Sequence, residues 1–470
     1  MASIFSSEVT GISCIPAEVL SLIFIASIPD DIVTDEYLSM FPRPSVHQSP
    51  LVLGRVCRLW REISLKTPRL WCKIQLGDMK TERDGYASPH IHYSRDLGRD
   101  SVTLREWLRR SGNCPLSIGL CYEEFNESDI DLIRETIEVA MLYTRRWKHV
   151  TSYLTPPLFS WEVVSSLLEG GNPLLECLHI LTDDIFAEER TTSFRHVKPH
   201  ITSSMGDYAS TTLTGCHSLR SLLLTSATIT LEQFKLCVAH CPLLETIVVT
   251  VHNVLHLLTM TNVNDTYALP HLTDLHIFSA GDSIGPFLHQ ISCPLLEKLV
   301  LAQILEDDAI LGTSCPHLGL FLRRSHPPLR YLDLTSIPMA LDDFLDSFKE
   351  VPSLKSLSLD DVEVPDELFR ILLLSPEPHQ PLLPTLQSLT LTELPADING
   401  ETLTALILSR WKCQCELECS IGEISEHYPE CQSLQSVSID SENLRGNVDV
   451  GAIIEQGFKL IINVNPIPAL

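Results

Sequence analysis

One short pattern, L-x-x-L-x-L, recurs nine times and sets what this chain can fold into. It reads PLLECLHI (173–180), HSLRSLLL (217–224), PLLETIVV (242–249), PHLTDLHI (270–277), PLLEKLVL (294–301), PPLRYLDL (327–334), PSLKSLSL (352–359), PTLQSLTL (384–391) and QSLQSVSI (432–439), with Ile or Val allowed at the later positions. The anchoring leucines are Leu175, Leu219, Leu244, Leu272, Leu296, Leu329, Leu354, Leu386 and Leu434, spaced by 44, 25, 28, 24, 33, 25, 32 and 48 residues. Self-similarity at such a period points to stacked units, none of which can bury its apolar face alone.

Each unit has a mechanical reading. The last two apolar positions, two residues apart, share one face of a short strand, and the first leucine turns the chain inward before it. Helical periodicity falls between the strands, in TLEQFKLCVAHC (230–241), MALDDFLDSFKEV (339–351) and PDELFRILLL (365–374). Thr230 with Gln233 fits a capping box, and Pro365 suits a first helical turn. Strand, turn, helix and turn at this length predict a leucine-rich repeat: a curved α/β solenoid with parallel strands inside and helices outside. PLSIGLCY (115–122) and RRWKHVTSYL (145–154) read as two earlier strands around a helix over 129–143. About eleven strands at ~4.8 Å would give an inner edge of roughly 50 Å, the scale of a protein-binding surface. Polar residues 182–215 read as an extended loop, and ETLTALILSRW as the helix of a degenerate unit.

Cys216, Cys241, Cys293 and Cys431 each stand three residues before an anchoring leucine, which marks a buried corner position. Cys413, Cys415, Cys419 and Cys431 form C-x-C-x3-C-x11-C, a poor spacing for zinc. No metal or cofactor is expected. The sequence contains no G-x-x-x-x-G-K-[ST], G-x-S-x-G or H-E-x-x-H, so no catalytic constellation is expected either. Fifteen cysteines without a recognisable signal peptide read as reduced thiols, and no apolar run reaches 18 residues. The expected setting is cytoplasm or nucleus, without membrane contact.

The net charge of −26 disfavours nucleic acid as a partner. Residues 51–76 are the exception: Arg55, Arg58, Arg61, Lys66, Arg69 and Lys73 against Glu62 make the window +5. Placed on one helix, Leu53, Val56, Cys57, Trp60 and Ser64 form an apolar stripe with Ile63 beside it, and the arginines lie mainly away from it. Cations separated from aromatics do not suit a single-strand binder. Upstream, residues 15–26 (IPAEVLSLIFIA) read as a short helix that is apolar on too many sides, hence covered by its own core and by something else. Between them, 27–50 is rich in proline and acid and reads as a loop insertion, tolerable if it projects from the surface.

These two motifs, I-P-x-E-V-L-x-x-I-F and R-V-C-R-x-W-R-x-I-S-x-x-T-P-x-L-W, resemble an F-box. More narrowly, the chain is similar to F-box proteins abundant in mushroom-forming fungi, in which a linker and leucine-rich repeats follow. SVTLREWLRRSGNCPLSIGL (101–120) resembles their linker-to-repeat junction, with Thr103 and Glu106 fitting a capping box. The resemblance implies an F-box over 1–78, a linker over 79–112 and the solenoid over 113–470. It further implies a non-catalytic, substrate-recognition subunit of an SCF-type cullin-RING ubiquitin ligase. Pro16, Glu18, Val19, Leu20, Ile23 and Phe24 would dock the Skp adaptor with Leu51, Leu53, Val56, Cys57 and Trp60, and the adaptor would bridge to cullin and RING subunits. Inner-face candidates for an unknown protein substrate are His179, Asp333, Ser358 and Thr390. The alternative is a leucine-rich-repeat interaction scaffold with no role in ubiquitylation.

Overall fold

A computed structural model describes residues 15–28, 32–33, 39–78, 97–122, 125–154, 172–181, 218–251, 266–280, 284–304, 315–373, 381–392, 400–411, 433–439, 454 and 458–462. The loop expected at 182–215, Cys216 and the cysteines from 413 to 431 lie outside them. The chain forms two compact units, residues 1–227 and 228–470, and a large parallel sheet of 13 strands with intervening helices.

The first unit opens with helix α1 (Ala17–Ala26), an antiparallel pair β1 (Ile32–Val33) and β2 (Ser39–Met40), and helices α2 (Leu53–Val56) and α3 (Arg58–Lys66). Then come β3 (Lys73–Asp78), α4 (Asp100–Arg110), β4 (Leu116–Tyr122), α5 (Ile130–Met141), β5 (Trp147–Leu154), β6 (Cys177–Leu181) and β7 (Ser221–Ile229). β3 to β7 lie in the sheet in chain order. The sheet therefore starts at β3, some forty residues before the expected solenoid boundary at 113, and α4 lies in the last third of the expected linker. The Thr103–Glu106 capping box does not form. α4 begins at Asp100, Thr103 lies inside it, and Glu106 instead accepts from Arg109 and Arg110 at 2.7 Å.

The second unit carries α6 (Leu231–His240), β8 (Thr246–Val251), β9 (Tyr267–Ala268), β10 (Asp274–Ala280), α7 (Gly285–His289), β11 (Ile291–Ser292) and β12 (Lys298–Ile304). It continues with α8 (Pro316–Ser325), β13 (Tyr331–Thr335), α9 (Leu341–Lys349), β14 (Ser356–Asp360), α10 (Asp366–Ile371), β15 (Ser388–Thr392), α11 (Gly400–Trp411), β16 (Ser436–Ile439) and β17 (Lys459–Ile462). The expected capping box of α6 is present: Gln233 N donates to Thr230 Oγ1 and Thr230 N to Gln233 Oε1.

The nine leucines explain why the strands form where they do. Each is at most 1 % exposed, and each stands two residues before a strand of the sheet. The residue after it carries the ladder onward: Lys355 N donates to Arg330 O, Gln387 N to Lys355 O, and Gln435 N to Gln387 O. The next apolar positions then stack in register, as in Leu299, Leu332, Leu357, Leu389 and Val437 across β12 to β16. Leu301, Leu334, Leu359, Leu391 and Ile439 form a second buried row. Outside the rows, Phe234 of α6 meets Phe287 of α7 edge-on at 5.8 Å, which ties helix to helix.

Arginines close several helix-to-strand corners. Arg410 of α11 is buried and donates to the carbonyls of Leu372, Leu382 and Leu383 at 2.6–2.8 Å. Arg324 does the same for Leu288 and Ile291, and Arg146 for Cys114. Buried carbonyls left without a donor are costly, and a guanidinium carries enough N–H groups to serve more than one.

Candidate functional site

The N-terminal helices divide their apolar residues between two environments. On α1, Leu20 and Phe24 are one turn apart and buried. Val19, Leu22 and Ile23 point elsewhere and are 44 %, 59 % and 50 % exposed. Pro16, the N-cap, and Glu18 are also exposed. A helix with so many apolar positions cannot hide them all against one neighbour.

The continuous stripe expected over 53–64 does not exist. Cys57 is extended (φ −156°, ψ 172°) and separates α2 from α3. The break leaves helix-end groups without intrahelical partners, and local side chains take them up. Arg61 Nε donates to Gly54 O at 2.7 Å, and the Cys57 thiol accepts from Trp60 N at 3.5 Å. The break changes the phase of the residues around it. Leu53, Ile63 and Ser64 go inside, Trp60 and Leu51 are half-buried, and Val56 and Cys57 are exposed, Val56 by 58 %. Leu59, in no expected stripe, is exposed by 41 %. Trp60 reaches the Phe24 ring, so the two separated motifs share one core.

Nor does the whole insertion project from the surface. Phe41, Pro42 and Pro50 are buried. Phe41 N donates to Gln75 Oε1 and Gln75 N to Pro42 O, both at 3.0 Å, so this segment lies along β3. The Phe41 ring fills the space over Gly119 of β4, where an added Cβ would meet it at 3.3 Å. Gly77, opposite Cys121, has φ +81° and no room for any Cβ.

The basic residues of this region are partly structural. Arg61 holds the helix break, Arg55 reaches Val46 O at 3.4 Å, and Arg58 pairs with Glu62 at 3.5 Å on the surface.

The expected inner-face residues fall into two groups. His179 on β6 is buried, and its Nε2 is 2.9 Å from Ser221 Oγ, so it is part of the packing rather than an open contact. Asp333, Ser358 and Thr390 lie side by side in register on β13, β14 and β15, half-buried on the face opposite the leucines. Asp333 accepts from Tyr331 Oη at 2.9 Å and from Ser358. Burial raises its pKa above the ordinary carboxylate value and nearby Asp360 adds to this, while the two hydrogen bonds and His276 oppose. The arrangement offers hydrogen-bonding partners to a ligand.

Cys241 and Cys293 are buried at their corners, as their phasing predicts. Burial pushes the thiols of Cys237 and Cys293 up to about 12 and that of Cys315 to about 11, which makes them poor nucleophiles. Among the described residues no group of three or more His, Cys, Asp or Glu could hold a metal ion, and no helix is long and apolar enough to cross a membrane. No family model matches the chain, and no curated protein matches it.

Proposed function

We propose that this protein is the substrate-recognition subunit of an SCF-type cullin-RING ubiquitin ligase. In this reading α1, α2 and α3 form an F-box that docks the Skp adaptor, which leads to cullin and RING subunits. The parallel strands and their helices are leucine-rich repeats that hold a protein substrate. The chain performs no chemistry of its own; holding an acceptor lysine near an activated thioester raises its effective concentration.

The observation that carries the reading is the outward set Val19, Leu22 and Ile23 on α1 with Val56 and Leu59 on α2 and α3. Apolar side chains left exposed on adjoining elements, while others on the same helices are buried, favour a protein partner. Burying one such side chain contributes about 1.5–3 kcal/mol, so a few supply a large part of a docking energy. The docking set therefore shifts from the motif residues as a whole to their exposed members. Leu20, Leu53 and Phe24 serve the protein's own core instead.

The test is co-expression with a Skp adaptor, cullin and RING subunit. The wild-type chain should co-purify with the adaptor and promote ubiquitin transfer to proteins held by the repeats. Ile23→Asp and Leu59→Asp should lose the adaptor while keeping the wild-type unfolding midpoint. A stably folded wild-type chain that binds no adaptor would overturn the reading.

A further inference from the structure

Strands β13 to β16, all in the second unit, carry two cross-strand rows on the face opposite the leucines. Asp333, Ser358, Thr390 and Ser438 form one row, and Thr335, Asp360 and Thr392 the next. All of them are half-buried, whereas Val248, Thr250 and His276, on the same face of β8 and β10, are buried. Every residue of the two rows bears a hydroxyl or a carboxyl, and none is apolar or cationic. Adjacent strands lie about 4.8 Å apart and alternate residues of a strand about 6.6 Å apart, so the Asp333 and Asp360 Cα atoms stand about 8 Å from one another. Neighbouring hydroxyls aim both carboxylates. Tyr331 Oη donates to Asp333 Oδ2 at 2.9 Å, Ser358 also bonds Asp333, and Thr392 Oγ1 donates to Asp360 Oδ1. A carboxylate can accept about four hydrogen bonds, so each keeps capacity for a further donor. The lysines of this face stand at its margins: Lys298 on β12, 3.9 Å from Asp274, and Lys459 on β17, opposite Ser436.

We propose that this patch holds an extended polypeptide segment of the substrate bearing two basic side chains, one at Asp333 and one at Asp360, with arginine favoured over lysine. The proposal rests on the repeats being the substrate-holding part of the chain. Charge complementarity selects the partner: the rows offer acceptors and negative charge with no cation among them, so a polyanion is repelled and a basic segment attracted. Alternate side chains of an extended segment point the same way about 6.6 Å apart, close to the spacing of the two carboxylates. The short serine and threonine side chains between them leave room for such a chain to lie flat across the strands. A guanidinium presents a planar fork of donors that serves a carboxylate and a neighbouring hydroxyl together, whereas an ammonium acts as a point charge. Burial, and after it Asp360, push the Asp333 carboxyl above its ordinary pKa, and a cation seated beside the pair would favour the ionised form.

The test is fluorescence anisotropy of the full-length protein with a dye-labelled Gly-Arg-Gly-Arg-Gly peptide and its lysine and serine analogues. Saturable binding is expected for the arginine peptide, weaker binding for the lysine peptide and none for the serine peptide. Asp333→Asn with Asp360→Asn should weaken arginine-peptide binding by about tenfold or more, since charge-assisted hydrogen bonds are lost. The same change in charge on exposed helix positions, Asp342→Asn with Glu367→Gln, should leave it within about twofold. Thr390→Lys, which keeps both carboxylates and sets a cation beside them, should also weaken it. Equal weakening by the two charge-changing pairs, equal affinity for the arginine and serine peptides, or no binding by the wild-type chain would overturn the proposal. Adaptor binding on the same preparation separates this from the ligase reading. A chain that binds adaptor but no arginine peptide refutes the patch alone, and one that binds the peptide but no adaptor refutes the ligase reading alone.

Discussion

The Phe24 ring of α1 and the Trp60 ring of α3 lie 4.8 Å apart with their planes tilted by 55°. This contact joins two sequence motifs separated by a proline-rich insertion into one small core. Phe24 is almost wholly buried, so Phe24→Ala should cost about 3–5 kcal/mol. A double-mutant cycle with Trp60→Ala should return a coupling of about 0.5–1.5 kcal/mol, measured by chemical denaturation. Simple additivity would show that the two rings do not share a core.

Adjacent leucines should respond in opposite ways. Leu296 is fully buried and Leu295 is 50 % exposed. Leu296→Ala should cost about 2–5 kcal/mol, whereas Leu295→Ala should stay within about 0.5 kcal/mol. Equal losses in urea midpoint would contradict the assignment of the anchoring position.

Arg410 should be intolerant of replacement even by an apolar chain of similar length. Arg410→Met would remove its donors from the carbonyls of Leu372 and the part-buried Leu382 and one of two donors from Leu383 O, at a cost of about 2 kcal/mol or more. A variant as stable as wild type would show that other donors, or water, readily satisfy those carbonyls.

The helices around α8 should make stability fall in mild acid. Burial, then the neighbouring His289, hold the His317 imidazole below its ordinary pKa, with Asp343 opposing. The unfolded chain takes up this proton as pH falls through about 6.5, and the fold resists it. The contribution is thus fully present above that value and declines as pH drops towards the lower folded pKa. Denaturation midpoints between about pH 7.5 and 5.5 should decline less in His317→Asn than in wild type. A variant with the wild-type slope would place the acid sensitivity elsewhere.

Much of the sheet is legible in the sequence because one side chain type marks nine of its 13 strands. The nine leucine motifs, with the strands at 115–122 and 145–154, account for eleven of the 13 strands. β3, β4 and β5 carry other residues where that leucine would stand: Trp71, buried, before β3, Cys114 before β4 and Arg145 before β5. An anchoring position asks for bulk, which tryptophan also supplies.

The N-terminal helices are harder to read, for a different reason. Apolar periodicity says that a side chain is apolar and on a face, not which of two faces meets the molecule's own core. The break at Cys57 falls at neither a proline nor a glycine; Arg61 reaching back to Gly54 O and the cysteine's own thiol hold it. The burial of Phe41 depends on the absent side chain of Gly119, far away in sequence. Leu22 and Leu59, exposed beside Ile23 and Val56, emerge only once the inward residues are known.

The most direct measurement is a calorimetric titration of the full-length protein with purified Skp adaptor. Wild-type protein should bind at one-to-one stoichiometry. Ile23→Asp, on the exposed side of α1, should weaken binding by about tenfold or more at unchanged fold stability, because a buried apolar contact of at least ~1.5 kcal/mol is lost and a charge is left at the interface. Wild-type affinity retained in Ile23→Asp, or no heat of binding from a folded wild-type chain, would contradict the docking account.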